Sequence, residues 1–464
     1  MMYRKLPIIL LAAAFVASTP VLALDIGLEA SARVEASDNV GGDIIGEEED
    51  GQLGFILLDV YGEQRGRLFQ AGFSGELEAR QELSDPDNDP TTLNNFFGAA
   101  NVFLTPAFSW YFGNVLGTVQ TSDELLTFED ADTERRNVFV TGPSFNFDFN
   151  SFSSVNAEVL YFNQTQNDVD LAELVTAQFE WRQDTQGGNT FGIEASDIYT
   201  NEPDDNDIAI GQLTSDTNRL SASVFWERNR GLLSWFASIG GTNFQTDEDS
   251  VNGVNAELRI NRRLGPQTDL AFSVATDLTS ENISTIDSLI ADGAGVIPES
   301  AGIFRSHTAS LVYSTTTTFN TIELGVRGSA SEFELLDDLG GLDDPTLDDN
   351  ITISTFGVLS RRLAPRVNLD LGIEFENQRF SNVDDDVDSI RASVLLGYQI
   401  TQSFSLSAGL RTTRSEGINT RDNISIAADG SFETEENRAL VQLTWAPPSR
   451  ASQEPVIQLK QLLR

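Results

Sequence analysis

The sequence contains no cysteine, a single histidine and almost no lysine, since Lys5 and Lys460 are the only lysines among 29 basic residues. Without cysteine the chain forms no disulfide and offers no thiolate as a nucleophile or metal ligand. Acidic residues outnumber basic ones by 71 to 29, which gives a formal net charge of −42. This acidity argues against nucleic acid as a partner, because phosphate binding requires a basic surface.

Long apolar runs are also scarce. Arg4 and Lys5 precede the apolar run Leu6–Val16, and small residues follow up to Ala23. This order is typical of a signal peptide, so we predict that residues 1–23 are removed on export. The run is too short to span a membrane, and no later stretch of about 20 apolar residues follows. We therefore predict a mature domain at 24–446 and a periplasmic tail at 447–464.

What the sequence does contain is strict alternation. Residues 367–376 read VNLDLGIEFE, with an apolar side chain at every odd position, and segments 69–80 and 268–274 repeat the pattern. A β-strand sends successive side chains to opposite faces, so each segment has one apolar and one polar face. Segments of about ten residues that alternate in this way and are separated by turns are typical of a transmembrane β-barrel.

Short turns and long acidic connections alternate between these segments. The pattern predicts an all-β, antiparallel up-and-down transmembrane barrel of roughly 20 strands (16–20), with short periplasmic turns and long acidic outer loops. The first strand is predicted near 26–36 and the last near 437–445. The predicted location is the bacterial outer membrane, with its lipid and lipopolysaccharide as expected partners. Aromatic residues near strand ends predict girdles at the membrane interfaces: Trp110–Tyr111, Tyr161–Phe162, Trp181, Trp226 and Trp235.

Charged residues on the polar faces are the candidate functional set. Arginine on the lipid face at mid-depth costs about 2–4 kcal/mol, so these side chains should point into the lumen. They predict a hydrated passage whose charges set selectivity, or alternatively a paired, plugged interior that only stabilises the barrel. The lumen-lining candidates are Glu29, Arg33, Glu76, Glu78, Arg80, Glu180, Arg182, Glu257, Arg259, Glu323, Arg327, Asp370, Glu374 and Glu376.

Neither a metal site nor a catalytic site is predicted, and no cofactor. The acidic segments Asp85–Asp89 and Asp343–Asp349 suggest calcium, but after the first of them Pro90 and Phe96 stand where an EF-hand loop needs glycine and glutamate. We interpret these segments as solvated surface. The lone His307 is the only candidate base for a serine nucleophile, and an interfacial polar role is favoured for it.

Four short segments carry a resemblance to a known family. They are Ala32–Val40 (ARVEASDNV), the turns Arg262–Pro266 and Arg361–Pro365, and Leu443–Pro447 (LTWAP). With these segments the chain resembles the large β-barrel proteins linked to exopolysaccharide export and PEP-CTERM systems of Gram-negative bacteria. The resemblance implies a non-enzymatic barrel that assists passage of polysaccharide, with periplasmic export components as partners. The alternatives are a general diffusion porin for small solutes and a closed structural or surface-binding barrel.

Overall fold

The computed structural model describes residues 24–38, 51–83, 91–120, 133–166, 169–201, 216–246, 250–280, 303–335, 349–380, 386–418 and 431–446. The predicted signal peptide, the tail, Asp85–Asp89 and most of Asp343–Asp349 lie outside these ranges. No helix long and apolar enough to cross a membrane occurs among the described residues. Their regular structure consists of the strands β1 Leu24–Ser37, β2 Gly51–Arg65, β3 Phe69–Glu82, β4 Thr91–Thr105, β5 Phe108–Gln120, β6 Thr133–Asn150, β7 Ser153–Gln166, β8 Val169–Asp184, β9 Asn189–Asn201, β10 Thr217–Arg230, β11 Leu233–Gln245, β12 Ser250–Gly265, β13 Thr268–Ser280, β14 Ile303–Thr316, β15 Asn320–Leu335, β16 Asn350–Ala364, β17 Val367–Phe380, β18 Asp386–Gln399, β19 Phe404–Ile418 and β20 Ser431–Trp445.

These 20 strands form one closed barrel. Each strand pairs antiparallel with the next along the chain, and β20 pairs with β1 from Ala30↔Trp445 to Ser37↔Arg438. Closure gives every strand a neighbour on both sides along most of its length, so that the sheet has no free edge strand. The predicted all-β, up-and-down barrel is confirmed, at the upper end of the predicted strand range.

The connections differ at the two ends of the barrel. At one end, the short-turn end, strands are joined by a few residues, as at Pro365–Arg366 and Gly231–Leu232. Gly231 has a φ of 70°, a left-handed conformation that favours glycine. The opposite end, the long-loop end, carries the longer connections. The polar segment near 164–170 predicts one of these long loops, and this prediction is wrong, because β7 reaches Gln166 and β8 begins at Val169.

Two strand boundaries also differ from those predicted. The first strand begins at Leu24, and the last begins at Ser431 instead of near Asn437. In β20 the residues at 433–436 (ETEE) are polar on both faces of the strand. The alternation that identifies a strand therefore disappears there, although the ladder with β19 continues from Asn437 to Ser431.

The barrel wall has two distinct faces. In β10, Leu220 and Val224 are each 54% exposed, whereas Ser221, Ser223 and Phe225 between and beside them are buried. The same alternation recurs around the barrel, so we call the face with exposed apolar side chains the outer face and the other the inner face. A closed barrel that shows apolar side chains outward is suited to a hydrocarbon environment.

Aromatic side chains collect on the outer face towards the short-turn end. Phe191 stacks on Trp226 with ring centroids 5.4 Å apart, and Trp226 meets Trp235 edge-on at 4.4 Å. These rings form the kind of belt found at a membrane interface. Two of the predicted girdle residues lie elsewhere: Tyr111 and Phe162 occupy the inner face and are 1% and 2% exposed. They neighbour outer-face aromatics in sequence, and successive residues of a strand point to opposite sides.

An apolar cluster fills part of the barrel interior. Its members, which we call the inner core, come from nine strands: Ala99, Tyr111, Val140, Leu160, Phe162, Leu174, Ile198, Phe244, Leu278 and Ile303. Burial of this many apolar side chains on the inner face supplies a packed core like that of a water-soluble protein. Part of the inner wall, most of it on β4–β9, is therefore apolar and buried.

Candidate functional site: the charged inner wall

All fourteen predicted lumen-lining residues occupy inner-face positions in the structure. In β17, for example, Asp370, Glu374 and Glu376 alternate with outer-face Ile373, which is 60% exposed, and Phe375, which is 44% exposed. Their placement follows from strand alternation alone. That they border a hydrated passage remains a prediction.

Many of the charged residues pair with a neighbour two positions along the same strand. Residues i and i+2 of a strand share a face, so a Glu-x-Arg sequence brings the two side chains together. Arg259 Nε lies 2.7 Å from Glu257 Oε1. The same contact through Nε joins Arg182 to Glu180 and Arg80 to Glu78, and two unpredicted pairs, Glu63–Arg65 and Glu436–Arg438, repeat it. Because the carboxylate takes the Nε edge, the two terminal nitrogens of each guanidinium are left for other partners.

Phenylalanine rings on the inner face hold several of these guanidinium groups in place. Arg33 lies over the Phe55 ring with its Cζ 4.1 Å from the centroid, and Arg80 approaches the same ring at 5.9 Å. Arg327 lies over Phe356 at 4.4 Å. Such cation–π contacts are worth about 0.5–1 kcal/mol at exposed sites and more where water is excluded. Each ring fixes the plane of a guanidinium against the wall.

The longest of these stacks extends from β8 to β12. Arg182 lies 5.6 Å from the Phe225 centroid, Phe225 stacks on Phe236 at 5.8 Å, and Arg259 lies 4.4 Å from Phe236. Gly192 stands between Arg182 and Phe225 in the ladder, and a Cβ at that position would fall 2.1 Å from the Phe225 ring. Glycine is therefore required there for the ring to lie flat. The result is a band of two guanidinium groups and two rings along the inner wall.

Three carboxylates face one another on adjacent strands of the inner wall. Glu29 of β1 is directly opposite Asp59 of β2, and Asp59 is directly opposite Glu76 of β3. Like charges in directly opposed positions destabilise a sheet unless cations or hydrogen bonds offset them. We call Glu29, Asp59 and Glu76 the carboxylate row. It is a point where a passing cation would be attracted.

Neutralising the carboxylate row is expected to reduce cation selectivity. The variant Glu29→Gln/Asp59→Asn/Glu76→Gln removes three negative charges. Each charge attracts a cation roughly 16 Å away with an electrostatic energy of about 1 kcal/mol at an effective dielectric constant of about 20. Reversal potentials in a salt gradient across a planar bilayer measure the change. The matched control is Glu332→Gln, which removes a charge from the outer face. An unchanged reversal potential in the triple variant would show that ions do not pass this row.

The opposite side of the interior is more open. Val358 lies on the inner face of β16, opposite Glu323 and Gly372, and is 43% exposed. Nearby, Arg391 Nη1 lies 3.6 Å from Glu374 Oε2. We call the inner wall of β15–β18 the open side. The interior is thus asymmetric, with exposed charged groups at β15–β18 and an inner core drawn from β4–β9, β11, β13 and β14.

Several inner-wall residues were not predicted from the sequence. Asp59 lies in the segment 55–61 (FILLDVY), where apolar residues occur at both odd and even positions. Alternation gives no signal in such a segment, so the inner face cannot be assigned from it. Phe55 and Phe225 were missed for a related reason, since an apolar residue on the polar face looks like an interruption of the pattern. Only cross-strand register brings Phe55 under Arg33.

His307 lies on the outer face towards the long-loop end. Its Nε2 is 3.9 Å from Glu332 Oε1, and Arg305 Nη1 is 3.8 Å from the other oxygen of that carboxylate. Within the described ranges no group of three or more histidine or acidic side chains is arranged to hold a metal ion. The charged inner wall is therefore the candidate site that the described structure offers.

The comparisons with known proteins identify the fold. The sequence matches no protein-family model and no curated protein. The siderophore receptor PirA from Acinetobacter baumannii has a TM-score of 0.52 and 9% identity, over 90% of this chain and 80% of that chain. A ferric enterobactin receptor variant from Pseudomonas aeruginosa, in complex with enterobactin, has a TM-score of 0.51 and 11% identity, over 90% of this chain and 81% of that chain. The chain therefore has the fold of outer-membrane β-barrels.

Proposed function

We propose that the protein is an outer-membrane channel that assists export of a secreted polysaccharide. The observation that carries the proposal is the size and lining of the closed barrel. Porins of 16–18 strands enclose an aqueous channel, and barrel diameter grows with strand number. Twenty strands enclose a wider interior, which suits a hydrated polymer. The choice of polysaccharide comes from the resemblance in the four sequence segments described above.

The inner wall offers groups that suit a hydroxyl-rich polymer. Carboxylates accept hydrogen bonds from sugar hydroxyls, and guanidinium groups donate to sugar oxygens. The terminal nitrogens of Arg259, whose side chain is 56% exposed, are positioned for this by the Phe236 ring beneath them. The carboxylate row favours a neutral or cationic polymer over a polyanion, which it would repel.

The orientation follows that of bacterial outer-membrane barrels. The short-turn end would face the periplasm and any export components there, and the acidic long-loop end would face outward, next to lipopolysaccharide. The exposed apolar outer face, with Ile239 at 61% and Leu410 at 64% exposure, would contact lipid. The signal peptide predicted at 1–23 would direct the chain to this location.

Two other candidate functions are each favoured by a specific observation. The paired charges on the open side would also suit a diffusion porin for small ions and solutes. The inner core favours a closed structural or surface-binding barrel, because its apolar side chains occupy interior space that a wide channel would leave to water.

Planar-bilayer recording of refolded protein lacking residues 1–23 tests the proposal. We expect cation-selective openings that are blocked by the exopolysaccharide of the cells that make this protein. Dextran of matched size is the control polymer. Openings that respond equally to both polymers would support the diffusion porin, and silence from folded protein would support the closed barrel.

A further inference from the structure

The ladder between β12 and β13 ends early, at the long-loop end. Pairing runs from Gly265↔Thr268 to Ala256↔Thr276 and then stops, although β12 continues to Ser250 and β13 to Ser280. On its other side β12 stays paired with β11 as far as Gln245↔Ser250. The end of β13 has therefore left the wall, while β12 has not.

Arg219 shows where the end of β13 has gone. This β10 side chain is 8% exposed; its Nε donates to the Leu278 carbonyl at 3.0 Å, and its Nη2 pairs with Asp277 Oδ2 at 2.5 Å. Strands β11 and β12 separate β10 from β13 in the wall, and three strand spacings amount to about 14 Å. An arginine side chain cannot cover that distance. Residues 277–280 must therefore lie inside the barrel, across the inner faces of β11 and β12.

Leu278 holds this segment against the wall. It is 0% exposed and belongs to the inner core together with Phe244 and Ile303, and Val251 packs beside them. A Cβ on Gly253 would lie 2.9 Å from the Leu278 Cβ, so the close contact depends on glycine at that position. Ile303 belongs to β14, which remains paired with β13 up to Ser280. We call residues 277–280 with 303–304 the folded corner.

Extending the existing register would return the folded corner to the wall. It would place Leu278 opposite Val254 and Asp277 opposite Asn255, continuing from Ala256↔Thr276. Asp277 Oδ1 and Asn255 Oδ1 are both buried without a hydrogen-bond partner in the folded-in arrangement. If β13 rejoined β12, backbone hydrogen bonds would be added and the Asp277 carboxylate would lie next to the side-chain amide of Asn255, which can donate to it. The contacts of Arg219 and the packing of Leu278 would be lost.

We propose that the folded corner is a gate, closed when Leu278 packs against Gly253 and Arg219 binds Asp277, and open when β13 rejoins β12. Both arrangements use the same residues with different partners, as a two-state element requires. The gate rests on the proposed function only in assuming that the barrel has a passage to close. Rejoining would also remove Leu278 from the inner core and widen the interior at the long-loop end.

The absence of cysteine from the chain allows each state to be trapped by one engineered disulfide. Gly253→Cys with Leu278→Cys links positions that meet only in the closed state. Val254→Cys with Leu278→Cys links positions that are opposite only in the open state, and the two pairs share position 278. Val358→Cys with Gly372→Cys, opposite each other within the wall, controls for oxidation in both states.

We expect both gate pairs to form disulfides in refolded protein in lipid vesicles, read by gel mobility with and without reductant. Adding Arg219→Ala should shift cross-linking towards the Val254→Cys pair.

Conductance in planar bilayers should also differ between the two trapped states. The disulfide of the Gly253→Cys pair should lower conductance several-fold, and conductance should recover when the disulfide is reduced. The disulfide of the Val254→Cys pair should hold the channel open. The gate would be overturned if only one of the two pairs formed a disulfide both with and without Arg219→Ala. It would also be overturned if the two trapped states had equal conductance. The cross-linking of the two cysteine pairs is measured without any polymer. If both states can be trapped but polysaccharide does not block the conductance, the proposed function is rejected and the gate is not.

Discussion

Replacing Ile239 by arginine is expected to lower the free energy of unfolding in lipid by about 2–4 kcal/mol, the cost of arginine on the lipid face at mid-depth. Ile239 is the middle residue of β11 and is 61% exposed on the outer face. Urea titration of the protein in vesicles, followed by tryptophan fluorescence, measures the change.

The adjacent residue provides the matched control. Ser238 lies on the inner face, directly opposite Glu257 of β12. Ser238→Arg adds the same side chain next to a carboxylate and should change stability far less than Ile239→Arg. If the two variants lost equal stability, or if Ser238→Arg lost more, the assignment of the two faces would be reversed or the outer face would not contact lipid.

Removing one ring from the inner core should have an effect of similar size. Phe162 is 2% exposed and packs within this cluster, so Phe162→Ala should cost about 3–5 kcal/mol, the range for truncating a buried aromatic side chain. Part of this cost is the cavity that remains, because close-packed neighbours collapse only partly. The same urea titration in vesicles measures it.

Phe179→Ala is the control for Phe162→Ala. Phe179 lies on the outer face of β8, next to β7, and is 43% exposed. Lipid chains can fill the space that its ring leaves, so a smaller loss is expected. Equal losses at the two positions would show that the inner core is not a packed interior.

The pattern of alternation made much of the fold predictable. It identified β17 from residues 367–376 and assigned Glu374 and Glu376 to the face opposite Ile373, and the structure has them there. The reason is that a strand exposes alternate residues to two different surroundings, so a barrel in lipid must repeat apolar and polar residues with a period of two. The strand count followed from the number of such segments.

The pattern failed where both faces have the same character. In segment 55–61 apolar residues occupy both faces, and at 433–436 polar residues do. The inner core also places apolar residues on both faces of β7. Leu160 and Phe162 on the inner face flank Tyr161 on the outer face, so the segment resembles an interfacial girdle. Local sequence cannot distinguish an apolar side chain facing lipid from one facing a packed interior, because both avoid water.

The sequence by itself determined that the chain is a barrel and which side of the wall most charged residues occupy, because side-chain direction in a strand depends only on position. The tertiary structure alone decided which residues meet. The register of β1 and β2 places Glu29 opposite Asp59 and Arg33 over Phe55, and the inward turn of β13 brings Arg219 to Asp277 across two strands. These contacts join residues far apart in sequence, and only the paired and closed sheet fixes their distances.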